Sequence, residues 1–105
     1  MTMTENQYQA NIIKKLKRLF PGCIIVKTDT GYQQGSTDLL ILFREFWAAL
    51  EVKASIKARV RPNQRYFVKR LDEMSFAAFI YPENEAEVLS ALQQALEVSG
   101  RARVS

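Results

Sequence analysis

Two short apolar stretches of this chain each carry ionisable side chains, and these are the residues best suited to chemistry. Asp38 lies near the start of the stretch 37–43, and Glu51 and Lys53 lie at the end of the stretch 46–53. Burying a charge among apolar residues costs free energy unless that charge is paired, so these side chains need a role. Two carboxylates beside an amine can hold a divalent cation and stabilise developing charge.

The relative positions of these side chains follow if the two stretches pair as a β-hairpin that turns at residues 44–45. In a register symmetric about that turn, Asp38 faces Glu51, and strand alternation puts Lys53 on the same face while Val52 points into the core. Like charges that face each other destabilise a sheet, and a divalent cation between them would reverse the sign. Alternatively, the carboxylates are solvated at the strand ends or bridged by Lys53.

The donor atoms favour hydrolysis of a phosphodiester. The chain contains no His and a single Cys, so a carboxylate site would select a hard cation, Mg²⁺ or Mn²⁺. Such a cation polarises phosphoryl oxygens and activates water, and Lys53 could steady the nucleophile or the developing charge. The lack of His excludes Ser/His/Asp and Cys/His nucleophile systems and His-ligated zinc.

Basic residues are concentrated directly after the candidate site. The formal net charge is +4, and no Asp or Glu occurs between Val52 and Leu71. A second basic cluster lies at residues 14–18. Either cluster could follow a phosphate backbone, although a solvated helix face explains the second one equally well. The candidate nucleic-acid-binding residues after the site are Lys57, Arg59, Arg61, Arg65 and Lys69.

Length and composition indicate one compact domain. With 105 residues, of which 48% are hydrophobic, we expect a single domain at 1–98 and a flexible tail at 99–105. Cys23 has no partner for an internal disulfide, which favours a reducing compartment. There is no apolar run of about 18 residues and no signal-peptide pattern, so the expectation is a soluble, cytoplasmic protein.

The first half of the chain predicts a helix followed by strands. Thr4 and Gln7 form a capping-box signal for a helix that stops at Pro21. Glu5 lies on the apolar face of this helix, so its carboxylate could lean toward the candidate metal. Alternatively, it is a first-turn acid that complements the helix dipole. A strand is expected at 23–28, before the predicted hairpin.

The second half predicts a helix, a strand and a helix. A basic segment at 54–61, expected to be mobile, leads into a helix at 62–74, a strand at 75–81 and a last helix that starts at Pro82. The early strands suit a meander, and the fourth would join the sheet through a helical crossover, which gives an α/β domain with a mixed sheet. The residues expected to face the core from the helix at 62–74 are Tyr66, Phe67 and Leu71.

This order of elements resembles the PD-(D/E)xK nuclease superfamily, and within it the stand-alone VRR-NUC (virus-type replication-repair nuclease) domains. The resemblance rests on three stretches: a glycine-bearing loop that leads into the aspartate strand at 31–38, Leu-Glu-Val-Lys at 50–53, and a Gln-containing helix start at 61–66. It covers nearly the whole chain. The sequence departs from the family motif at Thr37, where the motif has proline.

The resemblance implies a fold and a set of roles. The fold would be a restriction-endonuclease-like α-β-β-β-α-β core with a mixed central sheet flanked by helices and an extra C-terminal helix. Asp38, Glu51 and the Val52 carbonyl would ligate the metal, Lys53 would assist the attacking water, and Gln64 would orient groups at the site. The implied catalytic set is Asp38, Glu51, Lys53, Gln64 and, as the first-helix acid near the metal, Glu5.

The function that the resemblance implies is a Mg²⁺-dependent deoxyribonuclease, with Mn²⁺ as a substitute. We expect an endonuclease that acts on structured or branched DNA in replication, repair or recombination, encoded by a phage or mobile element. A homodimer would supply two active sites for two strands. Whether cutting needs a helicase or other replication partner is left open by the sequence. The alternatives are a Holliday junction resolvase, an inactive nucleic-acid-binding module and a subunit that binds a protein partner.

Overall fold

The computed structural model of the protein describes residues 3–28 and 37–98. The glycine-bearing loop at 29–36 and the predicted tail at 99–105 lie outside these ranges. The described elements are α1 (Glu5–Leu19), β1 (Ile24–Lys27), β2 (Leu39–Phe43), β3 (Phe46–Val52), α2 (Pro62–Met74), β4 (Phe76–Ile80) and α3 (Glu85–Gln93), which a π-helical segment, Gln94–Val98, extends.

One four-stranded sheet organises the domain, with strand order β1-β2-β3-β4. The first three strands form an antiparallel meander. β4 then lies parallel to β3, and α2 makes the crossover that a parallel neighbour requires. The predicted α/β class and mixed sheet are therefore confirmed.

The β2–β3 hairpin has the predicted register. Phe43 pairs with Phe46 and Leu40 with Ala49, so the pairing is symmetric about residues 44–45. Arg44 has φ 59°, in the left-handed region that short hairpin turns require and that Gly or Asn usually fills. The two apolar runs on either side of Arg44 and Glu45, rather than a turn signal, therefore identify this hairpin from sequence.

The two sheet faces are covered by different helices. α1 and α3 pack on the face formed by Leu39, Ile41 and Leu50. The Thr4–Gln7 capping box predicted for α1 is present, with the Gln7 N–H donating to Thr4 Oγ1 at 3.1 Å. α2 packs on the opposite face of β3 and β4, and this second face carries the candidate site.

The prediction that Tyr66 faces the core is wrong, because its side chain is 59% exposed. Val68 is the residue of α2 that is buried, against Ala49 and Ala77, with Leu71 packed beside it. Two residues along an α-helix correspond to a rotation of about 200°, so burial of Val68 turns Tyr66 toward solvent. The run Tyr66-Phe67-Val68 is apolar on every side, and the sequence alone cannot orient it.

The final helix also starts later than predicted, at Glu85 rather than Pro82. Asn84 forms the turn that delays it: its Oδ1 accepts the Tyr81 N–H at 2.9 Å and its Nδ2 donates to the Phe79 carbonyl at 3.0 Å. Among the helices of the described ranges, none combines the length and apolar character needed to cross a membrane.

Candidate metal and catalytic site

The Asp38 carboxylate is fixed at the open end of the hairpin. Its Oδ2 accepts the Val52 N–H at 2.9 Å, and its backbone carbonyl accepts the Thr28 N–H at 2.9 Å. Thr37, which replaces the motif's proline, is buried, and its carbonyl accepts the Thr28 hydroxyl. These contacts place Asp38 beside Glu51, as the predicted register requires.

Glu51 and Lys53 are the only buried carboxylate and ammonium groups in the described part of the chain, with exposures of 2% and 8%. Lys53 Nζ lies 3.7 Å from Glu51 Oε2, so the two side chains share one face as strand alternation predicts. A buried charge is tolerated when a counter-charge and hydrogen bonds compensate it. One ammonium cannot balance both Glu51 and Asp38, and the ionised cluster therefore carries an excess negative charge.

Gln64 joins the acid to the amine. Its Nε2 donates to Glu51 Oε2 at 3.0 Å, and its Oε1 accepts from Lys53 Nζ at 3.1 Å. The same Oε1 accepts the Arg61 N–H at 3.0 Å, which ties the amide to the start of α2. Because the carboxylate needs a donor and the ammonium an acceptor, this arrangement fixes the orientation of the amide.

Burial raises the pKa of Glu51 to about 8. Desolvation is the largest cause, followed by the Asp38 charge; the nearby Lys53 ammonium acts in the opposite direction, while a hydrogen bond with the Asp38 carboxyl and the Glu5 charge raise the pKa further. Glu51 Oε1 is buried and accepts no hydrogen bond from the described residues. An orphaned carboxylate oxygen of this kind calls for a proton or a cation.

The donor set fits a hard divalent cation. Asp38 and Glu51 supply adjacent carboxylate oxygens, and the described residues contain no group of three or more His, Cys, Asp or Glu side chains that could hold a metal. Two carboxylates are sufficient for Mg²⁺, which usually keeps several of its waters. Ligation by the Val52 carbonyl stays a prediction.

Glu5 lies near this site and outside its hydrogen-bonded core. It is the first residue of α1 and its side chain is exposed. Its charge is the smallest of the influences that raise the pKa of Glu51. The structure thus brings Asp38, Glu51, Lys53 and Gln64 together and leaves Glu5 at the periphery.

The predicted basic residues lie on the segment that follows β3 and on α2, and Arg65 lines a cavity together with Lys53. The segment between β3 and α2 is anchored by the Ile56 N–H, which donates to Glu83 Oε1 at 3.1 Å. Arg65 and Lys69 follow one turn apart on α2. All five side chains are exposed: Lys57, Arg59, Arg61, Arg65 and Lys69.

A cavity next to Lys53 was missed by the sequence analysis. Its volume is about 340 Å³, and Arg65, Phe79 and Tyr81 are among the residues that line it with Lys53. The sequence placed Phe79 and Tyr81 in an apolar strand without further role. The available signal is topological: β4 runs parallel to β3 with Glu51 opposite Phe79, so the ends of both strands meet at the same sheet edge.

The Asp38–Glu51 pair leads to a stability prediction. In chelator at a pH above about 8, where Glu51 is ionised, we expect Asp38→Asn to raise the melting temperature by about 4–8 °C, which corresponds to about 1 kcal/mol for a domain of this size. The new amide can still accept the Val52 N–H, removes one of the two charges, and offers a donor to Glu51 Oε1, the buried oxygen without a partner. Thermal unfolding in EDTA measures the change.

Asp72→Asn is the matched control. Asp72 Oδ1 likewise accepts a backbone N–H, that of Ala77 at 3.1 Å, and Asp72 is exposed, so we expect little change in melting temperature. If Asp38→Asn lowers the melting temperature in EDTA or leaves it unchanged, repulsion between the two carboxylates does not destabilise the metal-free fold.

Two solved structures are similar to this chain. One, described as a "VRR_NUC domain protein", superimposes with a TM-score of 0.68 at 19% identity, over 92% of this chain and 91% of the other. The second, described as a "VRR_NUC domain", has a TM-score of 0.62 at 22% identity, over 75% of this chain and 84% of the other. No protein-family model matches the sequence, and no curated protein does.

Proposed function

We propose that this chain, which has the VRR-NUC fold, is a metal-dependent nuclease of the PD-(D/E)xK type that cuts DNA. The observation that carries the proposal is the buried pair of carboxylates, Asp38 and Glu51, with one oxygen unpartnered and with Lys53 held beside them by Gln64. Buried carboxylate oxygens without a partner are rare in native proteins, so this one favours a site that a cation completes.

Asp38 and Glu51 would hold the cation, with the Val52 carbonyl as a further ligand. Mg²⁺, or Mn²⁺ in its place, supplies Lewis-acid activation of the phosphoryl group and of water when bound. The hydrogen bond from the Val52 N–H fixes the direction of the Asp38 carboxylate. The bond from Gln64 fixes Glu51 through Oε2 and leaves Oε1 available as a ligand.

Lys53 would act on the reacting groups. Its ammonium is held 3.1 Å from Gln64 Oε1, yet it lines the open cavity beside the acids, so it can reach a phosphate or water that enters there. A positioned cation stabilises the charge that develops on phosphoryl oxygens during displacement. Gln64 is thus a positioning residue for both Lys53 and Glu51.

Branched or structured DNA is the substrate class we propose, with a role in replication, repair or recombination. The exposed basic residues around the site offer a sequence-independent contact with the phosphate backbone. We also propose a homodimer, because a two-fold pair supplies two active sites for two strands. Analytical ultracentrifugation with and without a four-way junction tests this assembly, and a monomer in both conditions contradicts it.

Cleavage assays test the proposed activity. Labelled single-stranded, duplex, flap and four-way-junction DNA are incubated with Mg²⁺, Mn²⁺ or EDTA, with wild type beside Asp38→Asn and the Asp72→Asn control. We expect metal-dependent cutting that falls at least about 100-fold in Asp38→Asn, since a ligand carboxylate is lost, and that persists in the control. Cutting of the four-way junction alone would favour the resolvase, and binding of every substrate without cutting would favour the inactive module.

A further inference from the structure

We propose that the cavity beside Lys53 is a nucleobase pocket, and that it receives one unpaired base of the DNA strand whose phosphate lies at the candidate site. A second base of the same strand would stack on Tyr66. This inference rests on the proposed nuclease function. It requires that the nuclease's substrate has single-stranded nucleotides beside the phosphate that is cut.

The pocket has the size and lining of a site for a flat, partly apolar group. Its volume of about 340 Å³ falls at the lower end of the range for small-ligand sites. Phe79 and Tyr81 contribute aromatic rings, Lys53 and Arg65 contribute cations, and none of the described lining residues is acidic. Stacking on aromatic rings next to cations is how proteins bind unpaired bases with little sequence preference.

Residues that line the pocket are direct neighbours, along and across the strands, of the proposed metal ligands. Phe79 is the partner of Glu51 in the parallel register of β3 and β4, and the Lys53 N–H donates to the Ile80 carbonyl at 2.9 Å. Lys53 belongs both to the acid cluster and to the pocket wall. A phosphate held at Lys53 therefore places its own nucleoside at the mouth of the pocket.

A second, shallower cavity continues the path along α2. Its volume is about 470 Å³, it shares Val60 and Arg65 with the first cavity, and it adds Tyr66 and Lys69. The Tyr66 ring is exposed and is held edge to face against Phe67, with centroids 5.5 Å apart and an angle of 82° between the planes. The path from the acids thus alternates cations with aromatic rings.

The geometry points to an unpaired strand rather than to an intact duplex. A duplex keeps its bases stacked inside and presents phosphates, so it could use the basic side chains and could not fill the pocket. Arg65, shared by both cavities, lies where the phosphate between two splayed bases would pass. An apolar peptide would not pair with the exposed cations Arg65 and Lys69.

An abasic scan tests the pocket on the wild-type chain. The probe is a labelled duplex with a single-stranded arm, in which one abasic nucleotide is moved along the arm, and binding is measured by fluorescence anisotropy in EDTA. We expect one or two positions near the junction to weaken binding about 5- to 150-fold, the value of one stacked base, and the other positions to change it less than about twofold. Equal effects at every position would overturn the proposal.

Tyr66→Ala tests whether a base stacks on Tyr66. Because the Tyr66 side chain is exposed, we expect the variant to fold as wild type does. We expect the variant to bind the armed DNA about 5- to 150-fold more weakly, to bind blunt duplex as wild type does, and to lose sensitivity at one abasic position. The control is Met74→Ala, which removes a side chain that is 63% exposed on the same helix and lines neither cavity. Equal weakening on blunt duplex would contradict stacking.

The binding scan and the cleavage assay can fail separately. If the protein shows the position-dependent abasic pattern but cuts no substrate, the nucleobase pocket is supported and the proposed nuclease activity is contradicted. A chain that cuts DNA with metal but responds equally to every abasic position is a nuclease without this pocket.

Discussion

Lys53→Ala is expected to lower the rate of DNA cleavage by about 10²- to 10⁴-fold, the range for loss of a group that assists proton transfer or charge stabilisation. DNA affinity should change less than about threefold, because Lys53 is one of seven Lys and Arg residues between positions 53 and 70 and phosphate attraction is shared among them. Single-turnover cleavage and anisotropy, measured on the same substrate, separate the two effects.

Two further variants make this result interpretable. Lys53→Met keeps most of the buried side-chain volume and removes the ammonium, so it distinguishes loss of charge from loss of packing. Lys27→Ala removes an exposed lysine of β1 that pairs with Leu39. Its side chain therefore lies on the sheet face opposite to Asp38, and the variant should cleave at the wild-type rate. Loss of affinity as large as the loss of rate in Lys53→Met would show that the ammonium acts in binding rather than in the reaction.

The position of the three charged residues could be predicted because it depends on strand periodicity. Once the hairpin is symmetric about residues 44–45, Asp38 and Glu51 must face each other and Lys53 must share their face. That register is observed up to the pair Leu39 and Leu50. The mixed sheet was predictable for a different reason: a helix between the third and fourth strands supplies the crossover that a parallel neighbour needs.

The bridge through Gln64 could not be derived from periodicity. Its two hydrogen bonds depend on where α2 lies relative to β3, and the sequence pattern fixes the phase of a helix only when its apolar residues form one stripe. In α2 they do not, so the sequence predicts Tyr66 in the core while its ring faces solvent. The resemblance to known nucleases, rather than the pattern, identified Gln64 as a residue of the site.

The cavity beside Lys53 was missed for a related reason. Phe79 and Tyr81 belong to an apolar run, which predicts burial but says nothing about which strand end reaches a site. Only the parallel pairing of β3 with β4 brings Phe79 next to Glu51, and that pairing spans the whole crossover through α2. Long-range pairing of this kind is not encoded in local patterns.

The metal-free protein is expected to lose stability as the pH rises from about 4.5 to about 8. The pKa of Glu51 is raised from its ordinary value of 4.5 to about 8 in the folded chain, so the folded state binds the proton more tightly than the unfolded state. The resulting stabilisation is fully present below the ordinary pKa and is lost as pH rises through the folded pKa. Urea unfolding in EDTA across this range measures the slope.

Glu51→Gln should remove this slope and be more stable than wild type at pH 8 in EDTA. The amide oxygen can accept from Gln64 as Oε2 does, and the amide nitrogen takes the place of the unpartnered Oε1 and can donate to Asp38. Glu87→Gln, which alters an exposed glutamate of α3, should keep the wild-type slope.

Saturating Mg²⁺ should stabilise wild type more at pH 8 than at pH 6, because the cation competes with the proton for Glu51. It should not stabilise Glu51→Gln. If Glu51→Gln shows the same dependence of stability on pH as wild type, another group binds the proton. Glu51 would then not be the buried acid that the cation neutralises.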